Sequence, residues 1–304
     1  MTEVASPDNQ VLPGTAPVPA MPETRRSPIF VELAWLVFLV WIYNWVQDLA
    51  PLRRKQAFND AQGILSLEKS LHLDPESALD HWLAHQHALA LAASNFYAIA
   101  IFLVTFGFAA WLWWRRPDIY RPLRNYIVLA NILGFAVFWA YPVAPPRMLQ
   151  GYVDVVLKVG GLGWHNTLVQ HADQLAAMPS MHLGYAVWCS LAAWQLAGRR
   201  ATKVLALVFG IGYPLLTALD VMATGNHYLL DVVAGSATTF VAVAAVEVVT
   251  TQVGRLRAGQ TAGRPLSAEV SGSLEPGGDA LSGALDGVGH PALTRAALDR
   301  HKPE

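Results

Sequence analysis

Six apolar runs, each near the length that crosses a bilayer, dominate this chain: 29–47, 89–113, 123–142, 181–197, 203–222 and 228–250. A hydrocarbon core of about 30 Å takes about 20 residues of α-helix. Lipid cannot satisfy a free backbone group, and none of the runs alternates apolar with polar residues, so each is expected to be a helix. The fourth run is short and carries Gln195, so its assignment leans on the residues that open it. Trp41, Tyr43 and Trp45, then Trp111, Trp113 and Trp114, gather near run ends as interfacial aromatic belts do. Charged residues are 14% of the 304, against about 25% in a soluble domain, too few to cover a surface in water. The expected fold class is all-α, a polytopic membrane protein of six transmembrane helices.

Charge and cysteine content remove other classes. The formal net charge is -1, so no basic excess exists to neutralise a phosphate backbone, and nucleic acid is excluded as a partner. The single cysteine, Cys189, rules out an internal disulfide and any multi-cysteine metal site.

The runs sit between two tails. Residues 1–28 are rich in proline and poor in large apolar groups, and 251–304 are rich in Gly, Ser, Ala and Pro, so both are expected to be disordered. The membrane domain is then 29–250, and its first apolar run begins too late for a secretory signal. Basic residues mark the cytoplasmic side. Arg25 and Arg26, then Arg115, Arg116, Arg121 and Arg124, then Arg199, Arg200 and Lys203, and finally Arg255 and Arg257 flank one set of run ends. This places both termini in the cytoplasm of a cell-membrane protein and the third and fifth loops outside. Arg53, Arg54 and Lys55, in the first outer loop, run against the pattern. That loop, 48–88, has Ile64, Leu65, Leu67, Leu71, Leu73, Leu79, Trp82 and Leu83 at helical spacing among charges. Two amphipathic helices on the outer membrane surface are expected there. His81 and His85 in it lack a third ligand at metal-site spacing and read as a solvated face.

Three motifs fall at the outer ends of the helices. Ala177-Met178-Pro179-Ser180-Met181-His182 opens the fourth run with helix-start residues, and a helix N-terminus cradles an anion. Thr224-Gly225-Asn226-His227-Tyr228-Leu229-Leu230-Asp231 opens the sixth; His227 and Asp231, four apart, share a face, and a carboxylate on one imidazole nitrogen leaves the other as a nucleophile. Tyr141-Pro142-Val143-Ala144-Pro145-Pro146-Arg147 closes the third, where Arg147 offers a fork for phosphate oxygens. Singly, these read as an interfacial histidine, a capped helix start and a head-group anchor. Their coincidence on one membrane face points to a shared site.

Together, Pro179-Ser180-Met181-His182 and His227-Tyr228-Leu229-Leu230-Asp231 resemble the second and third motifs of the type 2 phosphatidic acid phosphatase (PAP2) superfamily. Ala144-Pro145-Pro146-Arg147 and Thr224-Gly225-Asn226-His227-Tyr228 resemble its inositolphosphotransferase branch, that of the inositol phosphorylceramide synthases. The resemblance covers about 29–250 and implies a PAP2-like six-helix bundle and a metal-independent phosphohistidine mechanism. In it His227 would be the nucleophile, Asp231 its orienter and His182 the acid, with Arg147 and Ser180 on the phosphate. The Lys-x6-Arg-Pro motif of the phosphatase branch is represented only by Arg147, and its Ser-Arg pair is replaced by Asp220 and Val221.

The expected function is a lipid phosphotransferase at the outer membrane face, moving a phosphoryl or phospho-head group from a lipid phosphate or phospholipid to a hydroxyl acceptor. A lipid phosphatase acting on phosphatidic acid or polyprenyl pyrophosphate would use the same residues with water as acceptor. A non-enzymatic transporter or scaffold would instead use the intramembrane acids Glu32 and Asp220. No cofactor and no metal are expected, since Asp231 is the only acid in the constellation. Activity should be bell-shaped in pH, because one imidazole must carry a proton and the other must not.

Overall fold

The computed structural model describes residues 26–49, 53–160, 175–198 and 200–262. The disorder expected of the two tails concerns 1–25 and 263–304, which lie outside the described residues.

Every long element is a helix, and among the described residues no strand forms; a single parallel bridge joins Val143 to Ala176. The first run is α1 (Ile29–Leu49), entered through Pro28, whose carbonyl accepts from Val31 N–H. The second is α4 (His87–Asn95) and α5 (Ile101–Arg115), joined by a π-helical turn over Phe96–Ala100. The third is α6 (Pro117–Ala140), with Pro117 in the first turn, where its missing N–H costs nothing. The fourth, fifth and sixth are α8 (Met181–Leu196), α9 (Arg200–Ala223) and α10 (Leu229–Ala262). Four stretches, His87–Arg115, Pro117–Ala140, Thr202–Ala223 and Leu229–Ala258, are long and apolar enough to span a bilayer, and Ile29–Trp45 is a shorter apolar helix. The chain is an all-helical, multi-pass membrane protein. α10 continues beyond the apolar run, so the opening residues of the segment expected to be disordered from 251 are helical; Ala, Gln, Leu and Arg there are good helix formers.

The first loop folds into the two expected helices, α2 (Arg54–Leu71) and α3 (Pro75–Ala84), but they do more than cover a surface. α2 buries Ala57, Ala61, Ile64 and Leu65 against Val143, Ala144, Leu149 and Tyr228, the segments that carry the motifs. α3 buries Leu83 and Ala84 against Ala90, Val155 and Ala223. Arg53 explains its own misplacement in the charge pattern. Its guanidinium donates to the carbonyls of Trp139 and Ala140, capping the C-terminal end of α6, where a cation meets the negative end of the helix. Arg54 lies 5.2 Å over the Phe58 ring. Arg53 and Arg54 are thus both used in packing within the protein. His81 and His85 are exposed, and His81 Nδ1–H donates to Ser77 O at 2.7 Å.

Helices α1 and α6 are tied by Glu32, which accepts from Tyr120 Oη at 2.6 Å and pairs with Arg124 at 2.8 Å. That acid is a helix tie and marks no translocation path. Trp188 Nε1 donates to Leu123 O at 2.7 Å, joining α8 to α6. The tightest approach brings α10 onto the start of α8: a Cβ on Gly235 would stand 2.0 Å from Ser180 O. Gly235→Ala therefore forces the two backbones apart. It is expected to destabilise the protein by at least about 1–3 kcal/mol, read as a lowered Tm in detergent, and to remove activity because Ser180 moves with α8.

Candidate active site

The local chain path puts both histidines in one place. Val143 N–H donates to Leu175 O and Ala177 N–H donates back to Val143 O, so the end of the third motif runs beside the start of the second. Ala144 N–H is taken by Ala57 O of α2, and Tyr228 Oη donates to Ala144 O at 3.1 Å. On the other side, Val221 O accepts from both Asn226 N–H (3.0 Å) and His227 N–H (3.1 Å). The chain can turn this sharply because Gly225 has φ +69°, where an L side chain is strained.

His227 is buried, and its Nδ1 lies 2.8 Å from Ala177 O and 3.5 Å from Asp231 Oδ2. A carbonyl can only accept, so Nδ1 carries the proton and Nε2 is left with its lone pair. The orienting role expected of Asp231 alone is thus shared, and the nearer partner is the Ala177 carbonyl. Asp231 is fully buried and also acts on the backbone: Oδ2 accepts from Tyr228 N–H at 2.9 Å, and its carbonyl accepts from Ser180 N–H at 2.9 Å. Ser180 is therefore placed by backbone bonds. Its amide is used, while its hydroxyl, buried, has no hydrogen-bond partner among the described residues.

His182, in the first turn of α8, stands 5.7 Å from His227 between ring centroids. Its imidazole stacks on Tyr97 at 4.3 Å and 17°, and a ring nitrogen bonds the Tyr97 carbonyl. Tyr97 was not picked out from the sequence. It sits in the π-helical turn, an irregularity often found at functional sites and invisible to apolar periodicity.

Arg147, its side chain nearly buried, donates through Nη1 to Asn226 Oδ1, and its Nε lies 3.7 Å from Asp154 Oδ2. Asn226 in turn donates to Thr224 Oγ1 at 2.8 Å. Arg147 and His227 are thus parts of one polar turn. The expected constellation of His182, His227, Asp231, Arg147 and Ser180 meets at the α8 and α10 N-terminal ends.

The expectation that Asp231 is the only acid here is corrected. α2 and α3 bring in Glu68, Glu76 and Asp80, all fully buried. Glu68 Oε1 accepts from Leu230 N–H at 2.6 Å, Glu76 accepts from Tyr152 Oη at 3.2 Å, and Asp80 accepts from Val153 N–H at 2.8 Å. Burial pushes the Asp80 carboxyl above the usual range, with the Val153 amide opposing. The signal existed: Ala57, Ala61, Ile64, Leu65 and Glu68 lie on one helical face, so Glu68 belongs with the buried stripe and not among the solvated charges. Among the described residues no group of three or more His, Cys, Asp or Glu is arranged to hold a metal ion.

Two histidines, a carboxylate and an arginine gathered at one end of a helical membrane bundle are side chains suited to phosphoester chemistry. The profile of the PAP2 superfamily matches residues 62–245, and the chain belongs to that superfamily. It is also 23% identical over 197 residues to phosphoinositol dihydroceramide synthase of Bacteroides thetaiotaomicron, covering 58% of this chain. The chain spans 63% of that relative's length. No solved structure matches. Membership of this superfamily supports an enzyme of the phosphatase or phosphotransferase class.

Asn226→Ala removes the acceptor that aims Arg147. Losing a buried hydrogen bond to a charged group costs about 1.5–3 kcal/mol of stability, so the Tm of the detergent-solubilised protein should fall, and kcat/KM should fall with it as Arg147 loses its aim.

Proposed function

We propose that this enzyme is a lipid phosphotransferase working through a phosphohistidine on His227. Nε2 of His227 attacks phosphorus of a lipid phosphate or phospholipid head group, the bond to the leaving oxygen breaks, and His182 protonates that oxygen. The acceptor hydroxyl then attacks phosphorus, gives its proton to His182, and the bond to Nε2 breaks, restoring both imidazoles. Arg147 and the Ser180 hydroxyl hold the phosphate oxygens, and the α8 N-terminus adds the positive end of its dipole. The observation that carries the reading is the fixed Nδ1–H of His227, bonded to Ala177 O with Asp231 behind it, in a ring facing His182.

Transfer to a hydroxyl is favoured over hydrolysis because Asp220 and Val221 stand where the phosphatase branch carries its Ser-Arg pair, which leaves that phosphate-clamping cation out. Asp220 is buried, its Oδ2 has no donor among the described residues, and its own carbonyl accepts from Thr224 at the foot of the His227 turn. The similarity to a synthase named for phosphoinositol transfer supports the same direction. The site is read as facing outward with both termini cytoplasmic, which a C-terminal tag protected from protease in intact cells would support.

His227→Ala should show no measurable turnover while inserting and folding normally; activity at the wild-type rate would overturn the mechanism. Labelled phospholipid should yield a new phosphodiester, whereas free phosphate as the main product would assign a phosphatase. EDTA should leave the rate nearly unchanged, and a collapse restored by Mg²⁺ would require a different chemistry. Lipid mass spectrometry of cells with and without the gene names the head group.

A further inference from the structure

The reading above leaves two fully buried carboxyls, Glu68 and Glu76, without a task. Glu68 is the last buried residue of α2, and its Oε1 accepts from Leu230 N–H at 2.6 Å. That amide lies three residues after His227 and one before Asp231, so α2 grips the segment that carries the nucleophile and its orienter. On the first turn of α3 the fully buried Glu76 carboxyl is an electrostatic neighbour of Glu68, and one oxygen of each acid is buried without a hydrogen-bond partner among the described residues. Glu76 Oε1 takes the Tyr152 hydroxyl, and the oxygens left without a donor are Glu68 Oε2 and Glu76 Oε2.

The groups that face this pair are acidic or neutral. Asp231 approaches Glu68 from α10, Asp74 approaches Glu76 from the start of α3, and Tyr152 and Tyr228 complete the surroundings. Lys158 donates to Ala84 O and Arg53 to the end of α6. Two ionised carboxylates buried side by side repel one another, on top of the cost of desolvating each. One proton between them removes the repulsion and supplies the donor that both free oxygens lack.

We propose that Glu68 and Glu76 share a single proton, and that this carboxyl–carboxylate clasp is a positioning device that locks the His227–Asp231 segment against the outer-loop helices. It rests on the phosphohistidine reading only in the effect assigned to turnover. Glu68 carries the proton, donates it to Glu76, and with its other oxygen accepts from Leu230. Burial raises both carboxyls above the usual glutamate range, with the Leu230 amide opposing at Glu68 and the Glu68 and Tyr152 contacts opposing at Glu76. An acid whose proton affinity is raised by folding binds a proton that the unfolded chain has already released. Stability contributed by the clasp therefore falls as pH rises from the ordinary glutamate range up to the raised value.

The test uses the full-length protein in detergent and three variants. Infrared spectra at neutral pH should show a protonated-carboxyl carbonyl band that disappears in Glu68→Gln, and Tm should fall with rising pH in the wild type but much less in that variant. Glutamine copies the protonated acid, with an oxygen for Leu230 and an amide N–H for Glu76, so Glu68→Gln should keep kcat within about threefold of wild type. Glu68→Ala leaves the Leu230 amide buried and unpaired and should lose about tenfold or more in kcat, with KM little changed. Absence of a difference band between wild type and Glu68→Gln would overturn the proposal, as would Glu68→Gln as impaired as Glu68→Ala. His227→Ala separates the two readings: its retained activity would remove the phosphohistidine yet leave the infrared band in place.

Discussion

The whole arrangement depends on the backbone contact between α10 and the start of α8. Asp231 O accepts from Ser180 N–H, and Gly235 lets the two chains touch there because it brings no Cβ. This contact sets the distance between the two helix ends, and with it the separation of His182 from His227. Everything else in the site is hung from one end or the other. Ala177 precedes α8 and holds His227 Nδ1; Asp231 belongs to α10 and holds Ser180. A nucleophile on one helix is thus oriented by the carbonyl of another, and a shift of either helix would be felt at both histidines.

Around that contact the polar groups are arranged by layer. Closest are the imidazoles and Arg147, whose guanidinium is aimed by Asn226 and Asp154. Outside them is a ring of acids from α2 and α3 bonded to backbone amides at Leu230 and Val153. Backbone N–H groups buried away from water must find acceptors, and here the outer loop supplies them to both segments that build the site. The helices α2 and α3 are thus a structural wall of the site and more than a cover for it.

The motif residues were legible in the sequence because their chemistry is local. His227 and Asp231 are one helical turn apart, and Pro-Ser before an apolar run marks a helix start whatever surrounds it. Residues that depend on tertiary contact were not. Tyr97 lies in an apolar run whose period gives no hint of a π-helical turn, and its partner His182 is 85 positions away. The Ala177 carbonyl has no side-chain signature at all. Arg53 disturbed the topological charge pattern because a cation capping the α6 carbonyls is indistinguishable, by composition, from one facing the cytoplasm. Glu68 and Glu76 were not picked out from the sequence, although the helical register already placed Glu68 with Ala61 and Leu65.

The π-helical turn at Phe96–Ala100 also changes which way its helix looks. An α-helix advances about 100° per residue, so a turn holding one extra residue rotates everything beyond it by about that angle. Before the turn, Ala90 packs with Leu83 of α3 and with Val155; after it, Leu112 packs with Trp188 and Leu123. One continuous rod thereby serves two different walls of the protein, and the aromatic ring at the changeover is the one that meets His182. Deleting a single residue there would yield a more regular helix and, at the same time, turn one of its two faces away from its partners. In this chain the irregular geometry of the backbone is itself an inherited instruction, written as a length and not as a residue type.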